Sequence, residues 1–335
     1  MKKIRVGING FGRIGRIASR IILQRGSLEL CAINSRSDAE SHAYLLKYDS
    51  TYGTLINSIE AKDSQLLIDG KKVCVFASDS PSEIPWKDAR IDIVIDATGK
   101  FRTVDDLKGH IEGGVKKVIL SSPAKDGMKT VVMGVNQGTI DYKNDVIQSN
   151  SSCTTNCLAT TIKVLHDQFT VKRGFMTTTH AVTDSQNLLD NSHKKEVRLR
   201  RASFASMIPS TTGSAKDIGK LFPELEGKLV CQSIRVPLQS VSLIQLTVEL
   251  GKKTDIQAIN EAYNMASKTN LQGILSVAQD QLVSIDFSGN SHSSIIDPYL
   301  TKVLKGNLIS VSAWYDNEWG YSSRLVDLVE YIGND

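Results

Sequence analysis

The sequence has no apolar run approaching the roughly 20 residues that a membrane-spanning helix needs, so an integral membrane protein is excluded. Proline is scarce, at 7 residues. No stretch is rich in Pro, Gly or Ser, and no internal repeat is visible. That excludes collagen-like, low-complexity and tethered-bead architectures, and two domains packed tightly together are expected. Cysteines number only 5, an odd count in a chain of 335 residues, which fits free thiols in a reducing compartment better than a disulfide framework. The first residues, Met1-Lys2-Lys3-Ile4-Arg5, lack the continuous apolar stretch of a secretion signal, and a cytoplasmic location is expected. Net charge is small too: 40 Lys and Arg against 36 Asp and Glu leave +4, too mild to argue for nucleic acid.

What is present is globular. Hydrophobic residues make up 41% and charged residues 23%, and the length suits two domains. In the first half, Ile4, Val6 and Ile8 alternate as a strand, and Ile14, Ile17, Ala18, Ile21 and Ile22 share one face of a helix. Strands are expected at 28–34, 91–98, 117–121 and 131–135, with a helix over 104–111 and a hairpin turn at Gly70-Lys71. Strand, helix and strand in alternation predict a doubly wound parallel α/β sheet. Beyond about residue 150 the pattern changes. Long alternating runs at 229–236 and 241–250, joined by a short link containing Pro237, predict a mostly antiparallel sheet in a second, α+β unit. The expected division is a dinucleotide-binding domain over 1–152, rejoined by a final helix within 318–335, and a catalytic domain over 153–317.

Gly10-Phe11-Gly12-Arg13-Ile14-Gly15 follows the first strand and opens the first helix, the context in which a G-x-G-x-x-G run binds a dinucleotide. The first glycine makes the turn, the second lets backbone approach a pyrophosphate, and the third lets helix and strand pack. About twenty residues on, an NAD site usually presents a carboxylate to the ribose hydroxyls. Here stand Ser35 and Arg36, a hydroxyl and a guanidinium that would accept a 2′-phosphate, although Asp38 is close enough to swing in.

The stretch Ser149-Asn150-Ser151-Ser152-Cys153-Thr154-Thr155-Asn156-Cys157 lies where the two patterns meet, after a strand and before a helix. Cys153 is expected at that helix N-terminus, where partial positive charge would draw its thiol below the ordinary value. Cys157, one turn further on, is expected to be a small buried hydrophobe. A zinc pair is disfavoured, because no second Cys/His pair follows at ligand spacing, and no metal site is expected. Of the six histidines, His180 ends the strand over 175–179 and is the candidate base. A Cys–His pair beside a dinucleotide site suggests oxidation of an aldehyde through a thioester.

These segments, together with Leu46-Lys47-Tyr48-Asp49-Ser50-Thr51-Tyr52-Gly53, Thr212-Gly213-Ser214-Ala215-Lys216, Arg235-Val236-Pro237 and Trp314-Tyr315-Asp316-Asn317-Glu318, closely resemble the phosphorylating glyceraldehyde-3-phosphate dehydrogenases along essentially the whole chain. The resemblance implies Cys153 as nucleophile and His180 as base. Ser152, Cys153, Thr154, Thr183, Arg198, Thr212, Gly213 and Arg235 would hold two phosphates, one on the substrate glyceraldehyde 3-phosphate and one inorganic. Gly10, Gly12, Arg13, Ile14, Gly15, Ser35, Arg36, Ser121 and Asn317 would meet the cofactor, NAD or NADP, with Asn317 on the carboxamide. A homotetramer is implied as well.

Departures from the family pattern are informative. Ser35 replaces the usual ribose Asp, the Arg often found near the adenine is replaced around Asp79, and Asn191-Ser192-His193 replaces Leu-Pro-His. Ser35, Arg36 and Ser192 together suggest room for NADP. Leu199-Arg200 replaces a Gly-Arg step, which unsettles the placement of that loop. Three alternatives are weaker. Erythrose-4-phosphate dehydrogenases share the Cys–His pair but lack the block at 212–216. A cysteine acyl hydrolase leaves the glycine turn unexplained. An RNA-binding role for the basic run 193–201, five basic residues against one acidic, lacks interleaved aromatics.

Overall fold

The computed structural model describes residues 2–193 and 196–334, so Lys194 and Lys195 of the basic run lie outside the described residues. The chain divides into two compact units, Met1–Ser151 with Ser322–Asp335, and Ser152–Tyr321.

The first unit holds, among the described residues, a nine-stranded sheet. Its spatial order is Lys129–Thr130, Ile147–Ser149, Lys117–Leu120, Ile93–Asp96, Ile4–Asn9, Leu28–Asn34, Lys71–Phe76, Gln65–Ile68 and Ile59–Lys62. The first seven run parallel, and the last two append an antiparallel edge. Strand 4–9 sits centrally, and Val6, Ile8, Ile33, Ile95 and Ile119 are fully buried, as parallel strands covered on both faces require. The helix Arg13–Gln24 buries Ile17, Ala18, Ile21 and Ile22, the stripe that its spacing predicted. The hairpin turns at Asp69-Gly70, one position earlier than expected. Both residues have positive φ (48° and 74°), the geometry a two-residue turn between twisted strands demands.

One strand expectation fails. Residues 131–135 are a turn, because Asn136 folds back on them. Its side-chain oxygen accepts from the Val132 N–H (2.8 Å), and its amide donates to the Thr130 carbonyl (2.8 Å). The Val131 N–H still donates to the Ser149 carbonyl (2.8 Å), and beyond it the buried Val131 and Val132 side chains reflect packing and not a longer strand.

The second unit is built on a seven-stranded, mostly antiparallel sheet. Its order is Ile208–Ser210, Leu229–Arg235, Val171–His180, Ser242–Leu250, Leu308–Tyr315, Ser294–Leu304 and Leu275–Val277. The strands on either side of Pro237 do not pair with each other. Val171–His180 lies between them, parallel to the first and antiparallel to the second. That insertion makes His180 and Arg235 register partners at neighbouring strand ends. The long helix Cys153–Phe169 buries Cys157, Leu158, Ile162 and Leu165. No helix among the described residues is long and apolar enough to cross a membrane.

Candidate active site

Cys153 is the first residue of the helix Cys153–Phe169. Ser151, in the left-handed region at φ 56°, turns the chain into it, and the hydroxyl of Ser152 caps it by accepting from the Thr155 N–H (3.1 Å). The helix leaves Cys153 half-buried, with Sγ 3.5 Å from Nε2 of His180. His180 is buried at its strand end. Its Nδ1 lies 2.7 Å from the Ala181 carbonyl oxygen and 2.8 Å from Nη1 of Arg235. The carbonyl only accepts, so it fixes the proton on Nδ1 and turns the Nε2 lone pair toward the sulfur. Against that nitrogen the guanidinium acts as a charge, not as a donor.

Electrostatics at this pair differ from the expectation. Burial pushes the Cys153 thiol up, and this outweighs Arg235 and the hydrogen bonds of the helix start, which pull it down. Burial, then Arg235, presses His180 down to about 3, against the opposing pull of the Ala181 carbonyl. The ligand-free pair is therefore a neutral thiol facing a neutral imidazole. The expected lowering of the thiol by its helix is overridden because removing a charge from water costs more than one helix end returns.

Around the pair the structure assembles hydroxyls. The Tyr315 hydroxyl bonds those of Thr154 (2.9 Å) and Thr178 (2.8 Å), and its ring meets His180 edge-on at 5.9 Å. Ser152 bonds Thr155 (2.9 Å), which donates to Ser214 (3.3 Å), which bonds Thr212 (3.0 Å). Gly213 sits at the N-cap of the helix Ser214–Leu221 with no side-chain cap. Two helix N-termini are thus joined by one line of hydroxyls, a surface suited to phosphate oxygens. Thr183 is tied locally, through its N–H to Gln186 (3.2 Å) and its hydroxyl to Ser185 (2.9 Å). Asn317 is held by its side-chain oxygen, which accepts from Ser242 (3.0 Å), and Ser242 accepts from the Ala181 N–H (3.1 Å).

Arg198 and Arg235 line two adjoining cavities that share Glu196, Ser210 and Thr211. Arg198 is exposed and lines a cavity of about 510 Å³ with Pro209, Gln232 and Ile234. Arg235 faces an adjoining cavity of about 490 Å³, and there the side chain from the same short turn is Leu199. The turn Arg198–Arg200 puts consecutive residues on different sides, so one position decides which residue faces Arg235. Tyr315, Ser214 and Ser242 were not singled out from the sequence. Their strand-end or helix-start positions were the available signal, but nothing local to them marks them as partners of the cysteine.

In the first unit the glycines behave as their spacing requires. A Cβ at Gly10 (φ 92°) would lie 2.7 Å from the Ala97 and Thr98 backbone, and one at Gly15 would run into the Gly10 carbonyl oxygen. Gly12 has open space around it. The helix Arg13–Gln24 has no side-chain cap, so its first N–H groups fit a pyrophosphate. The Arg13 guanidinium is committed to Asp49 (2.6 Å) and lies over the Tyr52 ring, so Arg13 and Ile14 have their backbone to offer there. Ser121 follows strand Lys117–Leu120, and its N–H donates to the Asp96 carbonyl (2.9 Å). Ser35 follows the strand Leu28–Asn34, half-buried beside exposed Arg36. Asp38 caps the helix Ala39–Lys47 through the Ser41 N–H (2.6 Å), which holds its carboxyl below the usual range.

Comparison with known proteins decides the family. Residues 152–317 match the glyceraldehyde 3-phosphate dehydrogenase C-terminal domain, and residues 4–104 match the NAD binding domain of that family. The chain belongs to the glyceraldehyde-3-phosphate dehydrogenase family. It is 46% identical over 328 residues to glyceraldehyde-3-phosphate dehydrogenase 1 of Bacillus cereus, covering 98% of each chain. It is 46% identical over 332 residues to enzyme 2 of Bacillus subtilis (98% and 97% covered), and 45% over 331 residues to the Geobacillus stearothermophilus enzyme (99% and 98%). Membership of this dehydrogenase family gives the paired Cys153 and His180 and the uncapped helix after Gly12 a common context, that of a nicotinamide-dependent oxidoreductase.

Proposed function

We propose that this protein oxidises glyceraldehyde 3-phosphate to 1,3-bisphosphoglycerate, reversibly, through a thioester on Cys153. The observation that carries the reading is the 3.5 Å approach of the Cys153 sulfur to His180 Nε2, at a helix start, in a chain of this family. His180 takes the thiol proton as the sulfur bonds the aldehyde carbon and passes it to the oxyanion that forms there, which the Cys153 N–H steadies, so the thiohemiacetal carries a hydroxyl and the imidazole is neutral again. A bound nicotinamide cofactor supplies the hydride acceptor. His180 removes the hydroxyl proton as the thiohemiacetal becomes a thioester, and inorganic phosphate then displaces the sulfur. Arg235 and the hydroxyls of Ser152, Thr154, Thr183 and Thr212, with Gly213, hold the phosphates. Asn317, its oxygen held by Ser242, turns its amide to the carboxamide. Cys153→Ser should lose essentially all aldehyde-dependent reduction of the cofactor in a phosphate-containing assay. Parental turnover by that variant ends the proposal.

NADP is the proposed cofactor at least as readily as NAD. The strand end offers Ser35 and Arg36, and the nearby Asp38 is occupied as a helix cap. Ser192, exposed in the second unit, is a small polar residue in keeping with this. Ser35→Asp should cut kcat/KM for NADP at least ten-fold and spare NAD. Unchanged NADP activity in that variant would remove the electrostatic argument. A homotetramer and a cytoplasmic location complete the reading.

A further inference from the structure

The reaction proposed above handles two phosphates, yet among the described residues the cavity beside Arg235 contains one guanidinium. Its lining is Ser185, Ser192, Ser210 and Thr211, with His193, Leu199 and Glu196. Glu196 is fixed in place. Its Oε1 accepts from the Thr211 hydroxyl (2.9 Å), and its backbone N–H donates to Nδ1 of His193 (3.1 Å). Leu199 is buried, and the flanking Arg198 lines the adjoining cavity, whose wall includes Glu196 as well. A carboxylate and an aliphatic side chain lining the same cavity as the guanidinium are the reverse of what a second phosphate needs.

Arg235 reaches the reacting pair directly, at 2.8 Å from the ring whose other nitrogen faces the sulfur. A substrate bonded to Cys153 carries its own phosphate tethered at high effective concentration, so that phosphate claims Arg235 first. Inorganic phosphate, arriving free, then finds hydroxyls, helix N-termini and the Glu196 charge. We infer that Glu196 and Leu199 are specificity-determining residues that weaken inorganic phosphate as the acyl acceptor and let water take a share of the thioester. In that share the water oxygen bonds the acyl carbon, the carbon–sulfur bond breaks, and His180 passes the proton of water to the sulfur, releasing the carboxylic acid and the free thiol.

The inference rests on the dehydrogenase reading, and one experiment separates the two. Cofactor reduction is followed at saturating aldehyde while inorganic phosphate is varied, and acyl phosphate is trapped with hydroxylamine. The parent should need high phosphate to saturate. At low phosphate it should form reduced cofactor in excess of acyl phosphate over many turnovers. Glu196→Gln and Leu199→Arg should each lower the KM for phosphate about ten-fold and shrink that excess, the gain expected from one charge-assisted hydrogen bond or one repulsion removed. The glutamine variant keeps the Thr211 bond, so it reads the charge even if an arginine at 199 fails to fold. One-to-one stoichiometry at every phosphate concentration overturns the inference, as does a fall in aldehyde KM with phosphate KM unchanged. A parent that reduces no cofactor at any phosphate level sinks the dehydrogenase reading instead.

Discussion

Arg235 acts on two titrating groups at once. Its charge lowers the Cys153 thiol and the His180 imidazole together, so removing it should raise both. For Arg235→Leu the pH dependence of Cys153 alkylation by iodoacetamide should move to higher pH, as the loss of a neighbouring positive charge requires. The imidazole should rise from about 3 toward its ordinary value, since a cation that penalised its protonated form has gone. A thiol midpoint that falls in this variant would contradict the charge assignment. Both members of the close Cys153–His180 pair were legible in the sequence as candidates, because a cysteine opening a helix and a histidine ending a strand are local patterns. The sign of the thiol shift was not, because it depends on how much protein surrounds the sulfur. Nor was the choice between Arg198 and Leu199, which turns on one residue of rotation in a short turn.

At the scale of elements, the strands and helices with strong periodicity stand where the sequence placed them, within a residue or two. Leu28–Asn34 has the expected limits, and the helix over 104–111 ends one residue later, at Glu112. What the periodicity left open was neighbour order. The Pro237 link predicted a mostly antiparallel sheet, which is observed, but not that Val171–His180 separates its flanking strands, a choice made by contacts far apart in sequence that no local pattern encodes. The consequence is chemical. With direct pairing across the link, Arg235 would have no strand-end neighbour in His180, and the charge that tunes the base would be lost. The turn at 131–135 failed for a similar reason: buried valines suit a strand by composition, but one asparagine four residues on supplies the hydrogen bonds a strand partner would have given.

For the whole molecule, the outer face of the catalytic sheet calls for a partner. Along Val171–His180, Met176 and Thr178 are buried while Phe175 is 66% exposed, and its register partner Val230 is 57% exposed. Two large apolar side chains adjacent on a strand pair, with Phe204 and Met207 also exposed in the loop region that follows, are costly to leave in water. In the proposed homotetramer a second copy of the chain, meeting this surface about a two-fold axis, would withdraw each of them twice. Covering one such phenylalanine contributes about 2 kcal/mol. Phe175→Asp replaces that gain with a charge that must be desolvated on both sides. Light scattering on the parent at micromolar concentration should give four times the 36.7 kDa chain mass. The aspartate variant should shift toward dimers and monomers while its far-ultraviolet circular dichroism stays unchanged. A parent that runs as a monomer, or a variant that assembles as fully as the parent, would mean that this face is simply solvated and that the proposed tetramer is built elsewhere or not at all.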